Sequence, residues 1–140
     1  MSNPGAIPPA AAVLSWARDL YARAVDQKDA RGFAQAFTAD ASLRFGNSAP
    51  ISGRAEIETA IAGFFNTFAT LRHEEKAAHL AGETLILEAV VTYRRHDGGI
   101  VSVPAVTIFH LVGAAADKPQ HPLADECRIY VDLTPLYAPA

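Results

Sequence analysis

The sequence predicts an α+β fold in which helices cover one face of a curved, mainly antiparallel sheet. Two observations carry this. Up to about Leu71 the apolar residues recur about every 3.6 positions, and beyond it they alternate with a period of about 2. Between the two longest alternating runs stands His96-Asp97-Gly98-Gly99, a turn sequence that joins antiparallel strands directly. Helices gathered first and strands gathered last mean segregated layers rather than βαβ units.

Each element has its own signal. From Pro9 to Asp26, Val13, Trp16/Ala17, Leu20 and Ala24 recur at helical spacing, and Pro8 and Pro9 suit the start of a helix. Gln27-Lys28-Asp29 breaks it, and Asp29 can cap a second helix, Ala30 to Phe37, that buries Phe33, Ala36 and Phe37. Ala41 to Phe45 then reads as a short strand. Gly46 to Pro50 is turn material, and Ser52-Gly53-Arg54 leads into a long helix whose Ile57, Ile61, Phe64, Phe65 and Phe68 share one face. Glu56 and Glu58 favour its N-terminus electrostatically. Four strands follow, His73 to Leu80, Thr84 to Arg95, Ile100 to Val112 and Cys127 to Leu133, with Gly113 to Asp125 as the long connection into the last. The middle two are apolar on both faces, so either a second subunit covers the outer face or the sheet closes on itself.

Composition narrows the function classes. A chain of 140 residues suits one domain, here residues 10–140 behind a flexible N-terminus of residues 1–9. With 50% hydrophobic and 19% charged residues it is expected to fold rather than stay disordered. A net charge of −3 gives no electrostatic footprint for nucleic acid. No window holds the roughly 18 apolar residues of a membrane helix, and Met1 to Pro9 has no basic, leader-like region. Cys127 is the single cysteine, so no internal disulfide forms and the cytoplasm is the expected compartment. The His, Asp and Glu residues are scattered, so no metal site is expected.

Three local features, in this element order, resemble the nuclear transport factor 2-like superfamily and within it the SnoaL-like domain proteins. They are Phe37-Thr38-Ala39-Asp40-Ala41, the helix entry Ser52-Gly53-Arg54-Ala55-Glu56-Ile57, and the final Ile129-Tyr130-Val131-Asp132. The resemblance covers about residues 10 to 137. It implies a cone-shaped fold, with N-terminal helices packed in a strongly curved sheet, an apolar pocket between them, and a homodimer formed sheet to sheet. It also implies an enzyme of cyclase, isomerase, dehydratase or hydratase type that works without a cofactor on a small apolar ligand, or else a binding module. Two relatives are tested by position. The ketosteroid isomerase tyrosine falls at Tyr21, but its base falls at Phe45 and its donor aspartate at Val106 or Thr107, so that chemistry is absent. The Arg-x-Asp pair of limonene epoxide hydrolase is echoed by Arg95-His96-Asp97, yet in a hairpin turn where Asp97 points to solvent.

For the SnoaL-like cyclases the corresponding acid/base is nearest to Asp132. In the last strand Arg128, Tyr130 and Asp132 share one face and Ile129, Val131 and Leu133 the other, and the polar face is expected to line the pocket. There a desolvated Asp132 could exchange protons near neutrality; the bland alternative is a solvent-facing carboxylate holding a backbone amide near Thr134-Pro135. His73, where the long helix hands over to the sheet, could relay a proton; otherwise it is a half-exposed neighbour of Glu74 and Glu75. Tyr21 or Tyr130 is the oxyanion or hydroxyl donor of this set. Ligand contacts are assigned to Trp16, Phe45, Asn47, Phe64, Phe68 and Tyr130, aromatic rings with a few polar atoms, a composition that also describes a plain core. Arg94 and Arg95 read as a solvated hairpin end, and Cys127 as a small buried residue.

Overall fold

The computed structural model describes residues 6–113 and 121–139. Helix α1 (Ala10–Leu20) continues into a π-helical turn, Tyr21–Val25, and is followed by α2 (Ala30–Ala34), β1 (Phe37–Phe45), β2 (Ile51–Ser52) and α3 (Arg54–Phe65). Then come β3 (Thr70–Ala81), β4 (Thr84–Arg94), β5 (Ile100–Val112), β6 (Leu123–Val131) and a short α4 (Thr134–Tyr137). The six strands form one sheet in the order β2-β1-β6-β5-β4-β3. β3 to β6 are the expected antiparallel meander, and β1 joins β6 in parallel.

Helix boundaries follow local chemistry. Asp29 caps α2 as its side chain predicts, its Oδ1 accepting from the Gly32 N–H at 3.0 Å. α2 is shorter than its apolar pattern suggests and β1 longer, because the chain pairs with β6 as early as Phe37, opposite Ala124. α3 likewise ends at Phe65 rather than Leu71, and β3 starts at Thr70. The last strand runs from Leu123 to Val131 rather than from Cys127 to Leu133, following its register with β5 from Val112 to Ala105. Part of the expected flexible N-terminus, residues 1–5, and most of the long connection, residues 114–120, lie outside the described residues. Ile7, expected to be part of that flexible segment, packs against the core.

The helices sit in the concave side of the sheet. Val13, Ala17 and Leu20 of α1, Ile57 and Phe65 of α3, and Leu85, Phe109 and Leu111 of the sheet are buried together. One inward parity runs through β4 (Leu85, Leu87, Val91, Tyr93) and β5 (Val103, Ala105, Thr107, Phe109). β3 changes parity at a bulge between Glu75 and Ala77, so Leu71, His73 and Glu75 face inward before it and Ala78 and Leu80 pack inward after it. Without that extra residue the strand could not both present His73 and pack Leu80 against the core. Among the described residues no helix is long and apolar enough to cross a membrane.

Candidate active site

Among the described residues two chambers lie between the helices and the sheet. The larger, about 150 Å3, is lined by α1 and the π turn on one side and by β3, β4 and β5 on the other. The smaller, about 50 Å3, is walled by phenylalanines, among them Phe33, Phe45, Phe64 and Phe65, with Tyr93, Ile129 and Val131. Tyr21, His73, Ala105 and Thr107 line both, so they form the waist between them.

At that waist Asp26 holds His73 twice. Its Oδ1 lies 2.7 Å from His73 Nδ1, and its Oδ2 accepts the His73 backbone N–H at 3.1 Å. Both side chains are mostly buried, 17% exposed for Asp26 and 18% for His73. A carboxylate on Nδ1 makes that nitrogen the proton-bearing one in the neutral ring, which leaves Nε2 as the acceptor available to the cavity. The Tyr21 ring packs edge-on against the imidazole, centroids 4.7 Å apart. Burial pushes the Tyr21 phenol well above the usual tyrosine range, against a hydrogen bond with the Thr107 hydroxyl that lowers it, so Tyr21 stays a neutral donor. Thr107 is 8% exposed and the single buried polar side chain of the described core.

The π turn brings these groups together. The Asp26 N–H bonds to the Tyr21 carbonyl at 2.8 Å, a five-residue step that stacks Asp26 nearly over Tyr21. In a regular α-helix the two would be about 140° apart around the axis. Lys28, with a positive φ of 58°, ends the helix, and its Nζ ties down the Phe68 and Ala69 carbonyls at 2.9 and 3.1 Å. At the open side of the larger chamber, Arg18 Nε and Nη2 meet Glu75 Oε1 and Oε2 at 3.1 and 2.9 Å.

Of the residues singled out from sequence, His73 and Tyr21 meet at the waist, and Phe45 and Phe64 line the smaller chamber. Phe68 lies one layer deeper, fully buried under Phe64 and Tyr93. Trp16 packs against Phe109 in the core, and Asn47 is exposed in its turn. Asp132 requires a correction. It lies beyond β6 on the surface, where the Thr134 hydroxyl and backbone N–H bond its carboxylate and hold it below the usual aspartate range. Tyr130, 49% exposed, is on the same outer face, so the cavity side of β6 is Ile129 and Val131. The reason is simple: a mostly apolar cavity takes the apolar row of the strand, and the charged row stays in water.

Asp26, Thr107 and the Arg18–Glu75 pair carry no sequence motif. The signal for Asp26 was its place at a helix end that faces the sheet, just before a polar break. Arg95 binds Asp97 across the hairpin and also donates Nη1 to the Leu136 and Ala138 carbonyls at 3.0 and 2.6 Å, so it anchors the C-terminal segment. Among the described residues no group of three or more His, Cys, Asp and Glu side chains is arranged to hold a metal ion.

Comparison with known proteins agrees with this architecture. A family model described as the SnoaL-like domain matches residues 17–115. Among solved structures, ActVI-ORFA from Streptomyces coelicolor superposes with a TM-score of 0.73 at 23% identity, over 87% of this chain and 96% of its own. A protein designated a SnoaL-like polyketide cyclase, from Jannaschia sp. CCS1, gives 0.70 at 18% identity over 100% and 98%. An NTF2-like protein of unknown function from Burkholderia pseudomallei gives 0.70 at 14% over 88% and 92%. At these identities the likeness is one of fold. No curated protein matches the chain.

Proposed function

Because the chain belongs to the SnoaL-like domain family and its cavity closes on a carboxylate-held histidine, we propose that it is an enzyme of cofactor-free acid/base chemistry. The substrate is a mostly apolar small molecule, and the reaction is of cyclase, isomerase, dehydratase or hydratase type. One observation carries this: Asp26 and His73 are paired, mostly buried, and on the cavity wall. His73 Nε2 takes a proton from a carbon or hydroxyl, Asp26 fixes the ring and stabilises the imidazolium that forms, and Tyr21 donates to the oxygen on which charge develops. Apolar walls keep water from competing for that proton.

The test is proton exchange. A panel of enolisable cyclic ketones in D2O should lose α-protons faster with the protein than in buffer, and His73→Ala should slow this about 10²-fold or more. Asp26→Asn should fall between the two. Exchange at the buffer rate across the panel would leave a binding module rather than an enzyme.

The outer face of β4 to β6 is proposed as the self-interface of a homodimer. Tyr130 is half exposed there, Val106 and Ile108 half-buried, and Ile100 is 63% exposed at the sheet's end. The single thiol, Cys127, is buried and raised in pKa by desolvation, which suits a protein of the reducing cytoplasm.

A further inference from the structure

The dimensions and charges of the two chambers restrict the substrate further. The larger chamber is close in size to an engineered cavity of about 150 Å3 that takes one benzene molecule. The smaller adds space for a few atoms only. Pockets for drug-sized ligands span roughly 300–1,000 Å3, well above either. The space exists because Ala89 and Ala105 stand directly opposite each other on β4 and β5 and both line the larger chamber. Any larger side chain at either position would fill it.

Charge gives the second restriction. Among the described residues lining the larger chamber Arg18 is the one cationic side chain besides the His73 imidazole, and its guanidinium is already held at two nitrogens by Glu75. Asp26 supplies a further negative group beside the waist. A carboxylate entering here would have to displace Glu75 and face Asp26, whereas a hydroxyl or carbonyl finds the Tyr21 and Thr107 hydroxyls and His73 at the waist. We infer that the substrate is an uncharged compound of one or two fused rings, seated over the Ala89–Ala105 floor with a ring oxygen substituent at Tyr21, Thr107 and His73. The inference rests on the proposed use of this cavity and adds the size and charge of its occupant.

Binding selectivity, measured by ligand-observed NMR and calorimetry at pH 8, tests it apart from turnover. The wild-type protein should bind 2-naphthol, bind 2-naphthoate at least about tenfold more weakly, and not bind 1-hydroxypyrene. Ala105→Leu should weaken 2-naphthol about tenfold while the thermal melt stays cooperative; if that variant does not fold, Ala89→Val carries the same expectation. Glu75→Gln, which frees Arg18, should bring 2-naphthoate to the affinity of 2-naphthol. Failure to bind 2-naphthol, equal binding of the acid or of the four-ring phenol by the wild type, or no effect of the floor substitutions or of Glu75→Gln, would each overturn the inference. Selective binding without proton exchange would sink the enzymatic proposal alone, and exchange without this selectivity would sink only the substrate class.

Discussion

His110 is clasped from both sides, with Nδ1 2.6 Å from Asp125 Oδ1 and Nε2 3.0 Å from Glu83 Oε2. Both nitrogens can donate only when the ring is protonated, and the Asp125 hydrogen bond, ahead of the attraction of both carboxylates, raises its pKa above the usual 6.5. Glu126, opposite it in the β5–β6 register, is itself paired with Arg128. A folded pKa above the unfolded one stabilises the protein fully below the unfolded value, and that contribution is lost as pH rises through the folded value. The ring is 41% exposed, so the effect is small. In urea titrations the wild-type midpoint should therefore fall between pH 6 and pH 9, and His110→Gln should remove that part of the pH dependence. An identical pH profile for the two proteins would show that the clasp contributes nothing. At this scale the sequence is informative about position and poor about partners. The place of His73 at the handover from helix to sheet is legible, because Phe65, Phe68 and Leu71 stop the helical period there. Its partner Asp26 is 47 residues away and invisible without the fold. Asp132 misleads for a local reason, since strand parity separates two faces but does not say which one meets the cavity.

Among the elements, the π turn at Tyr21–Val25 matters most to the site, and hydrophobic periodicity gives no sign of it. Val13, Ala17, Leu20 and Ala24 fit a helix whether or not one turn is widened, because the extra residue is absorbed on the exposed side at Ala22 and Arg23. Deleting Arg23 should turn the five-residue step into the four-residue step of a regular α-helix, about 40° around the axis, and so keep Asp26 over Tyr21 and against His73. The expected outcome is an unchanged far-UV spectrum with the His73 Nδ1 proton shared with Asp26 still seen by NMR; a lost signal would mean that the widened turn itself, and not the stacking of Asp26 over Tyr21, sets the pair. Caps and turns are more legible than widened turns, since they depend on one residue type at one position. Asp29 shows this: its carboxylate lies where a Cβ on Gly32 would come within 2.4 Å of it, so cap and glycine are chosen together.

For the whole molecule, the meander of β3 to β6 and the segregation of helices from strands are readable from periodicity and one hairpin turn. The parallel pairing of β1 with β6 is not, because it depends on a contact between distant ends of the chain. The proposed dimer belongs to this scale too. Light scattering at micromolar concentration should give twice the chain mass, and Tyr130→Glu, which puts a charge in the centre of the outer face, should give the monomer. A wild-type monomer would rule the interface out. Among the described residues β3 closes the sheet at one end and has a strand neighbour on one side only. Its free side is tied near His73 by Asp26, which takes the strand's amide with one oxygen and the ring with the other. A single carboxylate thus clamps the border of the sheet and aims the imidazole, so the breathing of that border and the readiness of the proposed base rise and fall together.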